Sequence, residues 1–218
     1  MTMKEAMRER HMVRRYLDKP IPAELVRKLE ERTEQNNEAH GLSIRLMTDD
    51  RSAFPALVRL ILAKGVRNVF ILAGDDAPDL DERLGYAGAD LMLYAQTQGL
   101  NTWWVGGTFS RKRMEEAAEG KRVIGVIAVG YGATQGVLHK SKKTEEISSY
   151  EGDAPDWFQN GVEAALLAPT ALAKQAFFLR GRGRQVSLAC ENGIFSGADK
   201  GIVKYHFELG AGKENFEW

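Results

Sequence analysis

Very little in this 218-residue chain is of the kind that advertises a chemistry. It holds one cysteine, Cys190. That excludes a disulfide framework, a CxxC redox pair and a cysteine-based zinc site, and it points to a reducing compartment. Its four histidines are scattered, with no pair at metal-ligand spacing. Acidic and basic residues cancel to a formal net charge of zero, so no global field draws the chain to nucleic acid or an anionic membrane. Long apolar runs are missing as well. The longest, "VIGVIAVGYG" from Val123, is far too short to span a bilayer, and the charged N-terminus carries no signal-like stretch. The expectation is a soluble cytoplasmic protein.

Several familiar motifs fail on inspection. "GAGKE" would be a phosphate loop only with glycine at 207 and Ser or Thr at 214, where Phe207 and Glu214 stand. "GRGR" does not lie between a strand and a helix, so a hairpin turn is the better reading. Asp75, Asp76, Asp79 and Asp81 lack calcium-loop spacing and read as a solvated connection. No strand–turn–helix nucleophile elbow is present. Hydrolytic and metal chemistry have no visible carrier.

What is present is a periodic alternation of elements. "MKEAMRERHMVRRYL" predicts a helix that stops before "DKPIP". Pro22 suits the first turn of a second helix, "PAELVRKLEERTEQ", with Leu25, Val26 and Leu29 as its apolar stripe. "LSIRLM" reads as a strand, and "SAFPALVRLILAKG" as a helix interrupted by Pro55. "RNVFILAG" reads as a buried strand. "LGYAGADLMLYAQTQGL" is a helix ending at Gly99, "NTWWVGG" a strand, "RKRMEEAAEG" a short helix capped by Ser110, and "RVIGVIAVGYG" a buried strand. The remainder shortens the same theme. A helix from "APDWFQNGVEAALLAP" leads to a hairpin of "KQAFFLR" and "QVSLAC", then to a helix from "DKGIVKYHFELGAG". Helix, strand, strand, helix occurs twice. This predicts one α+β domain over residues 1–218, made of two unequal repeats (1–150 and 151–218) that share one mixed central sheet.

Two basic clusters interrupt the neutral background: "RERHMVRRY" near the N-terminus and "HKSKK" at 139–143. On a helix, Arg10 and Arg14 would share a face and could present two guanidinium forks to one phosphate. Lys140 and Lys142, alternate residues of an extended segment, would point the same way and add charge from another side. Taken alone, such runs are more often solvated faces.

The order of segments resembles the nitroreductase family of flavin enzymes over most of the chain. The family's first-helix motif of Arg-Arg-Ser-x-Arg type is similar to Arg10-His11-Met12-Val13-Arg14, followed by Tyr16 and "KPIP". Its central helix and strand look like "LGYAGADLMLYAQTQGLNTWWVGG", and its late basic motif matches Lys140-Ser141-Lys142. Its flavin-lining Pro-Ser-Ser-x-Asn-x-Gln-Pro-Trp stretch, supplied there by the partner subunit, resembles "APTALAKQAF" at 168–177. That stretch falls in the second repeat, so the chain resembles a branch in which tandem halves imitate the homodimer. The fold implied is a nitroreductase-like α/β/α sandwich.

The resemblance implies bound FMN, reduced by NADH or NADPH. Arg10, His11 and Arg14 would contact the phosphate and ribityl chain, with Lys140 and Lys142 completing the phosphate site. Met12 stands where the family has Ser. Pro169, Thr170 and Ala171 would line the isoalloxazine ring, with Gln175 orienting that loop; Ala173 and Ala176 replace the usual Asn and Pro. Gly106 and Gly107 would bring backbone N–H groups near the flavin N5, their missing side chains permitting close approach. Trp103 and Trp104 read as core. The chemistry would belong to the cofactor, with no catalytic side chain, and the acceptor would be a small organic molecule such as a nitroaromatic or quinone. A chain holding its own imitation partner is expected to act as a monomer. The alternatives are a flavin-binding sensor or storage protein without turnover, and a nucleic-acid module built on "RERHMVRRY", "HKSKK" and "FFLRGRGR", which zero net charge disfavours.

Overall fold

The computed structural model describes residues 1–137 and 140–218; Leu138 and His139, the latter opening the basic stretch, lie outside the described residues. The larger sheet contains β1 (Arg45–Met47), β2 (Asn68–Gly74), β3 (Asn101–Val105) and β4 (Arg122–Gly130) in the order β1-β2-β4-β3, with every neighbouring pair antiparallel. β2 is buried along its whole length because both its faces are covered. One face sends Val69, Ile71 and Ala73, with Val126 and Ala128 of β4 and Trp103 of β3, against Phe54 and Met114. The other sends Phe70, Leu72, Ile127 and Val129 against Leu29, Leu84 and Leu91. Those last three lie on α2 (Ala23–His40) and α4 (Leu80–Thr97), whereas Met114 lies on α5 (Arg111–Ala117). The expected α/β/α sandwich is formed here. Pro55 does not interrupt a helix but starts one, as the N-cap of α3 (Ala56–Ile61).

A smaller sheet contains β5 (Ser148–Glu151), β6 (Phe177–Arg182) and β7 (Gln185–Cys190). β5 and β6 are parallel; β6 and β7 form the expected hairpin, turning at Gly183–Arg184 with Gly183 at φ 54°. Its inner face buries Phe177, Leu179 and Val186 against Phe158 and Val162 of α7 (Asp156–Leu166) and Ile202, Val203 and Phe207 of α8 (Ser196–Ala211). The short helix α6 (Thr144–Ile147) and β5 were not expected from the sequence.

The strands therefore form two sheets and not one shared mixed sheet. α4 covers the larger sheet and α8 the smaller, and these two helices pack on each other, so the strand edges are held apart. Small residues permit the close crossing. A Cβ on Gly85 would collide with the Ala198 carbonyl, and one on Gly201 with the Glu82 carbonyl. Gly85 and Gly201 are each the sixth residue of their helix, and Glu82 and Ala198 each the third. The order helix, strand, strand, helix is present in both parts, as α2-β1-β2-α4 (with α3 between the strands) and α7-β6-β7-α8. Among the described residues no helix is long and apolar enough to cross a membrane.

The first helix departs most from expectation. α1 runs only from Met3 to Glu9, opened by a capping box between Thr2 and Glu5. At Arg10 the backbone turns extended (ψ 124°), and the chain to Leu17 is fixed by main-chain bonds. Val13 N–H donates to Thr102, Tyr16 N–H to Lys64, Leu17 N–H to Tyr131, and Ala133 N–H to Arg15. Helical periodicity was overridden because this segment completes the edge of β3, burying Val13 and Tyr16 against the larger sheet.

Candidate flavin site

Because the helix stops at Glu9, the two guanidinium groups expected on one helical face are differently placed. Arg14 is exposed, its guanidinium 5.4 Å from the centroid of Trp103. Arg10 is turned inward and only 8% exposed. Its Nε is buried without a hydrogen-bond partner, and among the described residues it enters no ion pair. Burial pushes the guanidinium down to about 10, the opposite of what a carboxylate partner would do. His11 is half-buried, with Nδ1 2.8 Å from the Glu9 carbonyl oxygen, which makes Nδ1 the donor. Met12 is exposed, its main chain bridged to Thr102. The loop after β4 passes directly beside both: a Cβ on Gly136 would stand 2.7 Å from His11 Cβ and 2.8 Å from the Met12 carbonyl.

That loop leads to the second basic cluster. Lys140 is exposed. Lys142 is half-buried and tied to Gln175 twice: its N–H donates to Gln175 Oε1 at 2.7 Å, and its Nζ to the Gln175 carbonyl at 2.9 Å. Gln175 is 1% exposed. Its Nε2 donates to the Leu166 carbonyl at 2.8 Å, and its N–H donates to Thr170 Oγ1 at 3.1 Å. The expectation that Gln175 orients the loop is consistent with these bonds. Lys142 does more than offer a point charge, since it fastens that loop.

The segment from Pro169 to Gln175 is a short turn with a 3-10 element at Ala171–Ala173. Leu172, Ala173 and Gln175 all have positive φ, at 54°, 53° and 48°. Among the described residues, three of the five non-glycine residues with positive φ fall in this turn, and each such conformation costs roughly 1–2 kcal/mol. Ala171 N–H donates to Asp199 Oδ1 on α8 at 2.9 Å. Gly106 packs under Phe195, at the start of α8, so closely that a Cβ there would collide with the ring. A Cβ on Gly107 would meet nothing within 4 Å, which leaves its backbone open to approach.

α8 connects these groups. Phe195 touches Gly106, Asp199 holds Ala171, and His206 experiences the charge of Arg10. Positions 195, 199 and 206 recur at helical spacing over eleven residues, about 16 Å along the axis. His206 is fully buried with Nδ1 on the Ile202 carbonyl at 2.8 Å and Nε2 without a partner; burial pushes it down to about 3. Arg10 follows Met7, which packs with Leu167, adjacent to the Leu166 carbonyl that receives Gln175. Arg10, Gly106 and the turn 169–175 thus line one side of α8. Asp199, His206 and Phe195 were missed in the sequence, where "FSGADKGIVKYHF" reads only as an amphipathic helix.

Two cavities lie elsewhere and are lined by none of the expected residues. The larger, about 560 Å³, sits between α2, α4 and α8 beside a closed polar network. There Asp90, 3% exposed, accepts from Arg32 Nε at 2.7 Å and Nη2 at 2.5 Å, from Asn36 Nδ2 at 2.8 Å and from Tyr205 OH at 2.7 Å. The smaller, about 350 Å³, includes Cys190, whose thiol burial pushes up to about 11. Among the described residues no group of three or more metal-ligating side chains comes together.

This architecture is that of known nitroreductase structures. A protein from Thermotoga maritima described as a "putative nitroreductase" superposes with a TM-score of 0.71 at 22% identity, covering 98% of this chain and 85% of its own. One from Desulfovibrio desulfuricans, described as a "putative nitroreductase in complex with FMN", covers 71% of this chain and 98% of its own (TM-score 0.55, 17% identity). A Bacteroides thetaiotaomicron protein described as a "putative NADH dehydrogenase/NAD(P)H nitroreductase" covers 66% and 95% (TM-score 0.52, 20% identity). Among curated proteins none matches the sequence. The family model described as "Putative TM nitroreductase" matches residues 2–211, and the chain belongs to that family.

Proposed function

We propose that this chain is an FMN-dependent oxidoreductase that uses NADH or NADPH to reduce a small organic acceptor such as a nitroaromatic or quinone. The observation that carries the reading is the buried, uncompensated guanidinium of Arg10. A desolvated cation without a counter-ion is unfavourable by several kcal/mol, and an entering phosphate would relieve it with charge-assisted hydrogen bonds. The described FMN complex of the Desulfovibrio relative supports the cofactor, and the described dehydrogenase name of the Bacteroides relative supports the donor.

Arg10 holds the phosphate end, with His11 and the backbone around Gly136 beside it. The other end, about 16 Å along α8, offers the open backbone of Gly107 and the turn bearing Pro169, Thr170 and Ala171, a separation that suits a planar ring joined to a phosphate through a flexible chain. Bound there, FMN would supply the hydride and electron chemistry. Arg14, over the Trp103 ring, would offer positive charge at the ribityl side, and Lys140 remains exposed for an anion. Met12 offers no hydroxyl.

The reciprocal packing of Gly85 on Ala198 and Gly201 on Glu82 supports the further reading that the two parts imitate a homodimer, since a two-fold interface pairs position i with j and j with i. Such a chain would need no second copy.

Purified protein should be yellow, or turn so with added FMN, and should bleach anaerobically with NADH or NADPH. Colourless protein whose addition leaves FMN fluorescence unchanged would end the proposal; a coloured protein bleached by neither nucleotide would leave only the sensor or storage reading.

A further inference from the structure

The turn 169–175 costs more than its packing returns. Leu172, Ala173 and Gln175 are all left-handed, yet Leu172 is 85% exposed and Ala173 and Lys174 are also exposed. Apolar burial therefore does not explain why Leu172 and Ala173 adopt this shape. What holds the turn is polar and sits at its two ends. At the far end Gln175 is fastened to Lys142, Leu166 and Thr170. At the near end the one side-chain bond from outside the turn, among those described, is Asp199 Oδ1 accepting Ala171 N–H at 2.9 Å.

We propose that Asp199 is the positioning residue of the flavin site, a carboxylate whose grip on the Ala171 amide keeps the ring-facing turn in its strained conformation. The proposal rests on the FMN reading above. Strained backbone persists only where its surroundings over-determine it, and it concentrates at ligand clamps. Asp199 is well placed for this because it extends from a long, packed helix, whereas the turn has little packing of its own. The adjacent turn of α8 carries Phe195, which rests on Gly106. One helix end thus sets the spacing between the two backbone elements that would meet the ring.

The clamp is responsive to protons. Burial pushes the Asp199 carboxyl up to about 6, with the Ala171 N–H opposing that shift. Cys190 on β7 experiences its charge, and the same thiol also experiences the charges of Lys200 and Lys204 on α8 and of Glu82 on α4. Lys200 and Lys204 both bind Glu82 of α4, at 2.7 and 2.5 Å, so one carboxylate offsets only part of their combined charge. An ionised carboxylate accepts the amide more strongly than the protonated acid.

The experiment compares wild type with Asp199→Asn, which keeps a neutral acceptor, and Asp199→Ala, which removes it. In the apo-protein, the Ala171 amide ¹H–¹⁵N shift should titrate with a midpoint near 6 and stay constant in Asp199→Asn. At pH 7.5, FMN titration followed by fluorescence quenching should show about tenfold weaker binding for Asp199→Ala and less than threefold for Asp199→Asn. Thermal melts check that both variants fold, and Asp199→Asn stands in if Asp199→Ala does not. An Ala171 amide unmoved between pH 4.5 and 8, or Asp199→Ala binding FMN as wild type does, overturns the positioning role alone. Wild type that binds no FMN while its Ala171 amide still titrates overturns the flavin reading, and with it this role.

Discussion

Gly85 and Gly201 occupy equivalent places in two different helices, each lying against the backbone of the third residue of the other. Neither has room for a methyl group. Gly85→Ala and Gly201→Ala should each destabilise the fold by about 3 kcal/mol, the upper range for overpacking, because backbone atoms must move. Urea unfolding should give similar losses for both. A loss at one site only would show that the crossing is not reciprocal. Gly120→Ala, at φ 78° with open space around it, serves as a strain-only control near 1 kcal/mol.

Arg10 sets stability against binding. Replacing it with methionine removes a desolvated, unpaired charge and keeps an unbranched apolar stem, so apo-protein carrying Arg10→Met should gain about 1–3 kcal/mol in denaturant melts. The same variant should bind FMN roughly 10–100-fold more weakly, the loss expected of one charge-assisted phosphate contact. A variant destabilised by this change would show that an unseen counter-ion already satisfies the guanidinium.

His206 makes the chain sensitive to acid. Its native value near 3 lies below the unfolded value of about 6.5, so the neutral ring contributes stability above pH 6.5 that is lost as pH falls towards 3. The loss approaches about 1.4 kcal/mol per pH unit inside that window. Asp199 works in the opposite sense: its native value is raised above the unfolded one, so its contribution grows as pH falls through 6 and is complete below about 4. Melting wild type and His206→Leu at pH 7.5, 6 and 5 separates the two. Wild type should lose stability faster than the variant, and parallel slopes would refute the assignment.

Asp90 anchors α2 to α4 and α8 through four hydrogen bonds. Asp90→Ala leaves Arg32, Asn36 and Tyr205 without their acceptor and should cost about 3–5 kcal/mol. FMN affinity should stay within threefold of wild type where the variant is folded, because the network touches none of the proposed site residues. Equilibrium unfolding and a quenching titration on the same sample check both halves.

Much of the larger sheet was readable because its strands announce themselves: "NVFILAG" and "RVIGVIAVG" are apolar on both faces, and a strand covered on both sides needs that. The β6–β7 hairpin was readable from Gly183. Two things were not. The sheet division depends on α4 and α8 lying between the strands, a choice made by Gly85 and Gly201, and isolated glycines in a helical pattern do not reveal what they face. The end of α1 at Glu9 depends on Val13 and Tyr16 finding partners some ninety to one hundred and twenty residues away, at Thr102 and Gly132. For the site, the basic residues placed Lys142 at a phosphate and did not foresee its bonds to Gln175, and they assigned Arg10 to a helix surface instead of the interior. Asp199 carried no signal, since an acid in a first helical turn is ordinary.

The extended run from Met12 to Leu17 is held through its own amides and carbonyls, by Thr102, Lys64, Tyr131 and Ala133. Such a rail is indifferent to what hangs from it. Positions 12, 14 and 15, whose side chains are exposed, can be exchanged without the track shifting, so the chemistry offered to a visitor can drift while the geometry that presents it stays put. A hydroxyl in place of the exposed thioether of Met12 would be one such exchange, made at little expense to the scaffold.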